Sequence, residues 1–299
     1  MTGKYRAALA ALAAGGVAAL AAAGSASGTT APQKIVFSEG MNGGVSDIFL
    51  ISPAGGKPTR LTNNSALDAN PTWSPNGKQI AFESNLVGSG DADVFVMNAN
   101  GNGLHELTFS NAFDGDPSWG RSNKIAFESD RTGHTEIWII NPNGTGERQL
   151  THDNAFDGDP AWSPNGKQIV YTSTKDGSRD IWVMDADGSN QRRLTTDPGT
   201  DENPSWAPDG TEIAFDSNRN GGQLDIYVMN SDGSDQTRLT DNPALDALPS
   251  WSPNSQQIVF VSDRIHKGWR RLYVMNADGS HVHVLTHGKF DMSPDWYRG

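Results

Sequence analysis

The tripeptide Pro-x-Trp occurs six times along the chain, at intervals of 43 to 46 residues. A single supersecondary unit of this length cannot bury its own apolar surface, so similar units must stack on one another, and a closed ring of units leaves no open end. The period therefore predicts a six-bladed β-propeller. The repeated tryptophans are Trp73, Trp119, Trp162, Trp206, Trp251 and Trp296.

Each repeat contains three further segments that predict strands. The first reads Ile-x-Phe or Ile-x-Tyr, as in residues 80–82, and the second is apolar at consecutive positions, as in residues 93–96. An apolar run of this kind is expected for a strand that packs against neighbouring sheets on both faces. The third segment ends in Leu-Thr and predicts the outermost strand. Ser-Pro-Asn-Gly and Asn-Gly or Asp-Gly sequences between these segments favour tight hairpins.

The phase of the repeat predicts how the ring closes. The chain enters the repeat at an Ile-x-Phe strand and leaves it at a Pro-x-Trp strand. We therefore expect residues 294–296 to form the innermost strand of the blade whose other strands come from residues 35–37, 47–51 and 58–62. The predicted fold class is all-β, a propeller of four-stranded antiparallel blades closed by pairing of the C-terminal strand with N-terminal strands.

The first residues predict an export signal. Lys4 and Arg6 precede an uncharged run of small and apolar residues at 7–23, and small residues follow. The run is shorter and richer in alanine than a membrane span, which favours a cleaved signal peptide over a retained anchor. We expect a signal peptide at 1–26, a linker at 27–32 and the propeller at 33–299, with a secreted or periplasmic location.

Composition limits the partners. The chain has no cysteine and a formal net charge of -12, which disfavours nucleic acid and anionic membrane surfaces. We expect a monomer without stable membrane insertion after signal cleavage, and a cationic or neutral ligand.

The direction of the strands predicts that the hairpins share one face of the disc and that the remaining loops form the other. An aspartate lies five residues before every repeated tryptophan on this second face, and Asp116, Asp159 and Glu202 add further acids. These carboxylates are candidate binding residues at the mouth of the axial channel. The alternative is a repeated structural acceptor for loop N–H groups or a strand serine. The six aspartates are Asp68, Asp114, Asp157, Asp201, Asp246 and Asp291.

Two further features are asymmetric in the repeat. The twin segments 111–117 and 154–160 pair carboxylates with carbonyl-rich loops, which leaves calcium binding open, although their spacing does not match a dedicated calcium loop. No cofactor and no metal ligand is assigned. The segment 264–271 is a basic loop in an acidic chain, and Trp269 and Arg270 within it are candidate interface residues. A tryptophan that covers a blade edge is the alternative.

The sequence carries no recognisable catalytic motif. It has no Gly-x-Ser-x-Gly elbow, no cysteine nucleophile and no glycine-rich phosphate loop before a helix. Paired acids for glycoside cleavage remain open, because propellers host such chemistry and abundant aspartate makes chance pairs common.

The composite repeat, Leu-Thr, Asp, Pro-x-Trp-Ser-Pro-Asn-Gly-Lys, Ile-Ala-Phe-x-Ser, Asp-Ile-x-Val-Met-Asn and Asp-Gly, resembles the TolB-type, WD40-like propeller repeat over residues 33–298. The resemblance implies an exported six-bladed propeller that acts as a protein-binding platform in the cell envelope. TolB itself has an α/β domain before its propeller; because only a few residues separate the expected signal peptide from Ile35, we expect that domain to be missing here. We expect a non-enzymatic protein-binding propeller; the alternatives are a polysaccharide-degrading lyase or glycosidase and a propeller that binds a metal or small ligand.

Overall fold

A computed structural model of the chain describes residues 34–40, 44–87 and 91–297. The predicted signal peptide and linker lie outside the described residues. The described residues form 24 strands in six four-stranded antiparallel sheets, and they contain no α-helix. The described residues therefore include no helix that is long and apolar enough to cross a membrane. The predicted all-β, six-bladed fold is confirmed.

The six sheets are numbered here as blades 1 to 6, and their strands are given from the innermost to the outermost. Blade 1 contains β24 (Asp291–Trp296), β1 (Ile35–Gly40), β2 (Ser46–Ile51) and β3 (Thr59–Arg60). Blade 2 contains β4 (Asp68–Trp73), β5 (Gln79–Ser84), β6 (Asp93–Asn98) and β7 (His105–Glu106). Blade 3 contains β8 (Asp114–Trp119), β9 (Ile125–Ser129), β10 (Glu136–Ile140) and β11 (Arg148–Gln149).

The other three blades repeat this order. Blade 4 contains β12 (Asp157–Trp162), β13 (Gln168–Ser173), β14 (Asp180–Asp185) and β15 (Arg192–Arg193). Blade 5 contains β16 (Asp201–Trp206), β17 (Glu212–Ser217), β18 (Asp225–Asn230) and β19 (Thr237–Arg238). Blade 6 contains β20 (Asp246–Trp251), β21 (Gln257–Ser262), β22 (Arg271–Asn276) and β23 (His283–Val284).

Blade 1 closes the ring with strands from both ends of the chain. Strand β24 pairs with β1 in antiparallel register, with Ile35 opposite Trp296 and Val36 opposite Asp295. One side chain strengthens the closure, because the Asp295 carboxylate accepts the backbone N–H of Trp73 in blade 2 at 2.8 Å. The predicted closure by the C-terminal strand is confirmed.

The hydrophobic core lies between the blades rather than within one sheet. Each of six apolar clusters joins side chains of two neighbouring blades; in one of them Val36 and Ile48 of blade 1 contact Trp73, Ile80 and Phe82 of blade 2. The second and third strands are therefore apolar on both faces, as their sequences predict. Burial of each large side chain contributes roughly 1.5–3 kcal/mol to folding, so every blade depends on its two neighbours.

The outer strands are shorter than the sequence predicts. Each pairs over two residues, and the Leu-Thr dipeptide follows the strand instead of ending it. In blade 4 the Leu194 N–H donates to the carbonyl of Ile181 at 2.7 Å, and the Thr195 Oγ1 accepts the Ile181 N–H at 2.9 Å. The dipeptide thus caps the third strand of the blade, with its leucine in the inter-blade core.

Candidate functional site

The two faces of the disc carry different loops, as predicted from the strand directions. The turns that join the innermost strand to the second and the third strand to the outermost lie on one face, which we call the hairpin face. The loops that join the second strand to the third, and each blade to the next, lie on the opposite, acid-rich face. All six aspartates that precede Pro-x-Trp begin an innermost strand at this second face.

These six aspartates lie beneath the surface of the acid-rich face. Each is at most 1% exposed. The Ser84 hydroxyl donates to the Asp68 carboxylate within blade 2, which is the structural role given above as the alternative. Because Asp68 already accepts this hydrogen bond from its own blade, contact of its carboxylate with a partner would need the bond to break.

Arginine side chains neutralise three of the six aspartates. Arg131 Nη2 lies 2.6 Å from Asp114 Oδ2, and Arg219 and Arg264 make the equivalent contacts with Asp201 and Asp246 at 2.6 and 2.9 Å. Each arginine lies two residues after the last serine of the second strand. These ion pairs join the two loops of one blade and hold the acid-rich face in shape.

The axial channel is lined by the Pro-x-Trp strands of all six blades and encloses about 210 Å³. Each of these strands has a bulge three residues before its tryptophan, where the register with the second strand shifts. The bulged residue has φ between 45° and 56° in every blade, a conformation in which asparagine and aspartate are favoured among side-chain-bearing residues. The ring of bulged residues consists of Asn70, Asp116, Asp159, Asn203, Leu248 and Ser293.

A second set of acids lies behind this ring, on the second strands. The Glu83 carboxylate accepts the backbone N–H of Asp116 in the next blade at 3.0 Å, and the Glu128 carboxylate accepts that of Asp159 at 3.2 Å. Asp216 accepts the Leu248 N–H in the same way at 2.8 Å. The second-strand acids therefore bond to the bulge of the following blade and stiffen the wall of the channel.

Three carboxylates of these two sets lie close together at the channel wall. One oxygen from each of Asp116, Glu128 and Asp159 lies within 4.8 Å of the others, and we call this group the channel acid cluster. Burial raises the pKa of Glu128 to about 8, with the Asp159 charge as a further cause. Burial and the charges of Glu128 and Glu83 raise the pKa of Asp116 well above its usual range. At neutral pH the cluster therefore retains protons or attracts a cationic group.

The structure brings Asp116 and Asp159 of the predicted site into the channel but not the six buried aspartates. Sequence reasoning missed Glu83, Glu128 and Asp216. They share one position, the residue after the aromatic in Ile-x-Phe-x-Ser, and that position points to the channel wall. The signal is weak, because the same position holds a hydroxyl or an apolar side chain in the other three blades.

The acid-rich face also carries an arc of exposed apolar side chains. Of the eight large apolar side chains exposed in residues 34–40, 44–87 and 91–297, all but Leu104 lie on loops of this face. They run from blade 6 through blade 1 to the loop between blades 2 and 3. The apolar arc consists of Ile265, Trp269, Phe290, Leu67, Leu86, Val87 and Phe109.

Hydrogen bonds tie parts of the apolar arc to their neighbours. The Gly40 N–H at the end of β1 donates to the Phe290 carbonyl at 2.9 Å, and the Leu67 N–H donates to Asn85 Oδ1 at 2.8 Å, next to Leu86. The loops that carry Leu67 and Leu86 are therefore joined, and the loop of Phe290 is anchored to blade 1.

The basic loop places Trp269 at the end of this arc, 36% exposed. Lys289 Nζ lies 4.8 Å and Arg271 Cζ 5.7 Å from its ring, which gives two cation–π contacts. Arg270, the other predicted residue of this loop, directs Nη1 to the Met292 sulfur at 3.4 Å. The indole is thus held in place with one part free for contact.

Comparison with models of known protein families shows which family the chain belongs to. The family model described as the TolB β-propeller domain matches residues 21–121 and 85–171. The chain belongs to the TolB β-propeller family. A second model, described as the Tricorn protease N-terminal β-propeller domain, matches residues 177–295 of this TolB-family propeller. No curated protein matches the sequence.

Solved structures share the fold of this TolB-family propeller at low sequence identity. TolB from Acinetobacter baumannii superimposes with a TM-score of 0.76 at 19% identity, covering 88% of this chain and 66% of that one. A putative TolB from Agrobacterium tumefaciens gives a TM-score of 0.68 at 24% identity, covering 87% and 88%. A chain of a nidogen/laminin complex gives 0.73 at 8% identity, covering 88% and 98%. At these identities the likeness is one of fold.

Proposed function

We propose that this TolB-family propeller is an exported, non-enzymatic binding platform that docks another protein of the cell envelope or the extracellular space on its acid-rich face. The observation that carries the proposal is the apolar arc, which concentrates the exposed large apolar side chains on one face of the disc. Exposed apolar surface rimmed by polar groups is typical of protein-binding sites.

The chemistry of the arc supports a protein as the partner. Aromatic side chains dominate the binding energy of protein interfaces, and Trp269, Phe109 and Phe290 supply three of them here. The two cations that hold Trp269 reduce the side-chain entropy lost when a partner covers it. A rigid disc with fixed loops can therefore bind with little rearrangement of its own backbone.

Affinity capture with paired variants tests the proposal. The propeller and its Trp269→Ala/Phe109→Ala variant are immobilised and exposed to envelope and secreted fractions of the native cell, and retained proteins are quantified by mass spectrometry. We expect a stoichiometric partner that the variant loses by at least about tenfold, since each aromatic hot spot contributes about 2 kcal/mol or more.

The control is Leu104→Ala, which removes an exposed apolar side chain from the hairpin face. It is expected to retain the partner. A partner that is lost with Leu104→Ala and kept by the double variant would contradict the proposal, as would the absence of any stoichiometric partner.

The channel acid cluster favours a second candidate function, the binding of a cationic group in the axial channel. Because burial holds the pKa of Glu128 at about 8, the cluster gains negative charge as pH rises, and a cation should bind more tightly at pH 8.5 than at pH 6.5. A fluorescent tetralysine peptide measures this by anisotropy. Asp116→Asn should weaken binding and Asp187→Asn, on the hairpin face, should not; equal affinities would exclude the channel.

A further inference from the structure

A second group of acids lies away from the axial channel, at the junction between blades 3 and 4. One carboxylate oxygen from each of Glu136, Asp153 and Asp157 lies within 4.8 Å of the others. Glu136 begins the third strand of blade 3, Asp157 begins the innermost strand of blade 4, and Asp153 lies in the loop between the two blades. None of the three belongs to the channel acid cluster.

The same junction recurs around the ring, and at five of its six positions an acid lies on each side. The N–H of the aspartate that begins an innermost strand donates to the carbonyl just before the third strand of the preceding blade, as Asp157 does to Thr135 and Asp201 to Arg179, both at 2.9 Å. The third-strand acids at five of the junctions are Asp47, Asp93, Glu136, Asp180 and Asp225, and Arg271 holds this position at the sixth.

At each of the other four acid pairs, arginine forms an ion pair with at least one of the two acids. Arg60 pairs with Asp47, and Arg131 pairs with Asp114. At the remaining two junctions both acids are paired, by Arg193 and Arg219 and by Arg238 and Arg264. Among residues 34–40, 44–87 and 91–297, the junction of Glu136 and Asp157 is the one pair without an arginine ion pair.

The next junction along the chain gives the closest internal comparison. It has acids at the three equivalent positions, Asp180, Asp197 and Asp201. Arg193 Nη2 lies 2.7 Å from Asp180, and Arg219 reaches Asp197 at 2.9 Å and Asp201 at 2.6 Å. Two guanidinium groups therefore balance three carboxylates there.

At the junction of blades 3 and 4 both arginines are replaced. Gln149 stands where Arg193 stands in the next blade, and Lys175 stands in place of Arg219. Lys175 Nζ lies 3.1 Å from Asp153 Oδ2 but makes no ion pair with Asp157. A lysine reaches one carboxylate as a point charge, whereas the forked arginine reaches two.

The two remaining acids, Glu136 and Asp157, are buried and form no ion pair among the described residues. Glu136 is 2% and Asp157 is 1% exposed. Within the part of the chain that the structure describes, both carboxylate oxygens of Asp157 and the Oε2 of Glu136 lack a hydrogen-bond partner. Unpaired buried carboxylates are costly unless a positive charge or a proton joins them.

We propose that Glu136, Asp153 and Asp157 bind one calcium ion, which supplies the positive charge that arginine supplies at the equivalent junctions. The ligands are carboxylate oxygens alone, which suits a hard cation. Calcium–oxygen bonds of about 2.4 Å place ligands on opposite sides of the ion about 4.8 Å apart, and calcium accepts irregular geometry with water completing the shell. The ion would tie the loop before blade 4 to the third strand of blade 3.

The test compares calcium binding to the whole protein with binding to Lys175→Arg. The arginine recreates the ion pairs of the next junction and competes with the ion, so the variant should fold and should melt at a higher temperature than the wild-type protein in EDTA. Isothermal titration with calcium chloride should give a Kd of roughly 0.1–1 mM for the wild-type protein, as in extracellular calcium modules. We expect binding at least about tenfold weaker in Lys175→Arg.

Two controls make the result specific. Lys167→Arg makes the same chemical change at an exposed position of blade 4 on the hairpin face, and it should bind calcium as the wild-type protein does. Asp157→Asn removes a ligand and should abolish binding at this site. Calcium affinity that is unchanged in both Lys175→Arg and Asp157→Asn, a wild-type protein that binds no calcium, or equal binding of magnesium would overturn the proposal.

Discussion

The carboxylates of this propeller have different roles according to what surrounds them. Asp246 is buried beside Arg264 and fixes a loop, Glu128 is buried beside other acids in the channel, and Asp157 is buried without a hydrogen-bond partner among the described residues. An aspartate count or a net charge does not separate these roles. The partner supplied by the neighbouring loop does.

Asp246→Ala should destabilise the protein by about 2–4 kcal/mol, because it leaves the partly buried Arg264 guanidinium and the Asn242 amide without their acceptor. Urea denaturation measures the change. The matched control is Asp241→Ala, which removes a carboxylate that is 83% exposed and paired with Arg238, and it should change the unfolding free energy by less than about 1 kcal/mol. Equal effects of the two variants would show that the buried ion pair is not structural.

Glu128→Gln should flatten the pH dependence of stability. Burial raises the pKa of Glu128 to about 8 from 4.5, so the folded protein holds a proton that the unfolded chain releases. The unfolding free energy should therefore fall as pH rises from about 4.5 to about 8. The amide carries no such proton, so its curve over this range should be flatter.

Urea midpoints at pH 5, 6.5 and 8 measure this slope. Glu147→Gln, at the exposed rim of the same blade, is the control for loss of a carboxylate outside the channel. A slope that Glu128→Gln leaves unchanged would contradict the assignment.

At the scale of the strand, the Leu-Thr dipeptide of each blade caps the third strand. The Thr195 hydroxyl accepts the N–H that begins the third strand of blade 4, and Leu194 fills the contact with blade 5. The outer strand itself pairs over two residues. The dipeptide therefore holds the blade edge where strand pairing is short.

Thr195→Val tests this device with little change of shape. The valine leaves the buried Ile181 N–H without an acceptor, which should cost about 1–3 kcal/mol. The control, Thr237→Val, alters an exposed threonine of an outer strand and should be nearly neutral. Thermal unfolding followed by circular dichroism distinguishes them, and a neutral Thr195→Val would assign the cap to the leucine alone.

The sequence predicted the strands far better than the channel. Spacing and apolar runs reveal a blade because every blade must bury the same two faces, so the signal is repeated six times. The acids behind the channel wall are Glu83, Glu128 and Asp216. The same position of the repeat holds Ser38 in blade 1 and Val261 in blade 6. A position that varies from blade to blade has no period, and its chemistry depends on which side chains meet across the ring.

The junction of blades 3 and 4 was hidden for the same reason. Asp157 was predicted as a candidate binding residue, but Glu136 comes from the neighbouring blade and Asp153 from the loop between them. What distinguishes this junction is the replacement of Arg219 by Lys175 at equivalent positions. That comparison becomes informative only when the structure shows which acids each cation reaches.

At the scale of the whole molecule, stability depends on closure. A chain ending at Asp291 would lack most of β24, which pairs with β1 and carries Trp296 and Asp295. It should unfold at low temperature or form oligomers, because the blade 1 edge and the contacts with blades 2 and 6 are left open. Size-exclusion chromatography and calorimetry measure this. A chain lacking the last two residues keeps β24 and is the control; a melting temperature equal to it would refute the closure.

The register of the closing strands also sets where the propeller can be attached. Ile35 and Trp296 are opposite each other at the hairpin-face end of blade 1, so a linker joined directly before Ile35 or directly after Trp296 would leave the propeller from that side. A propeller immobilised through such a linker would present the apolar arc outward, toward solution, whichever of the two positions carries it. Orientation on a sensor surface therefore follows from the pairing of β24 with β1.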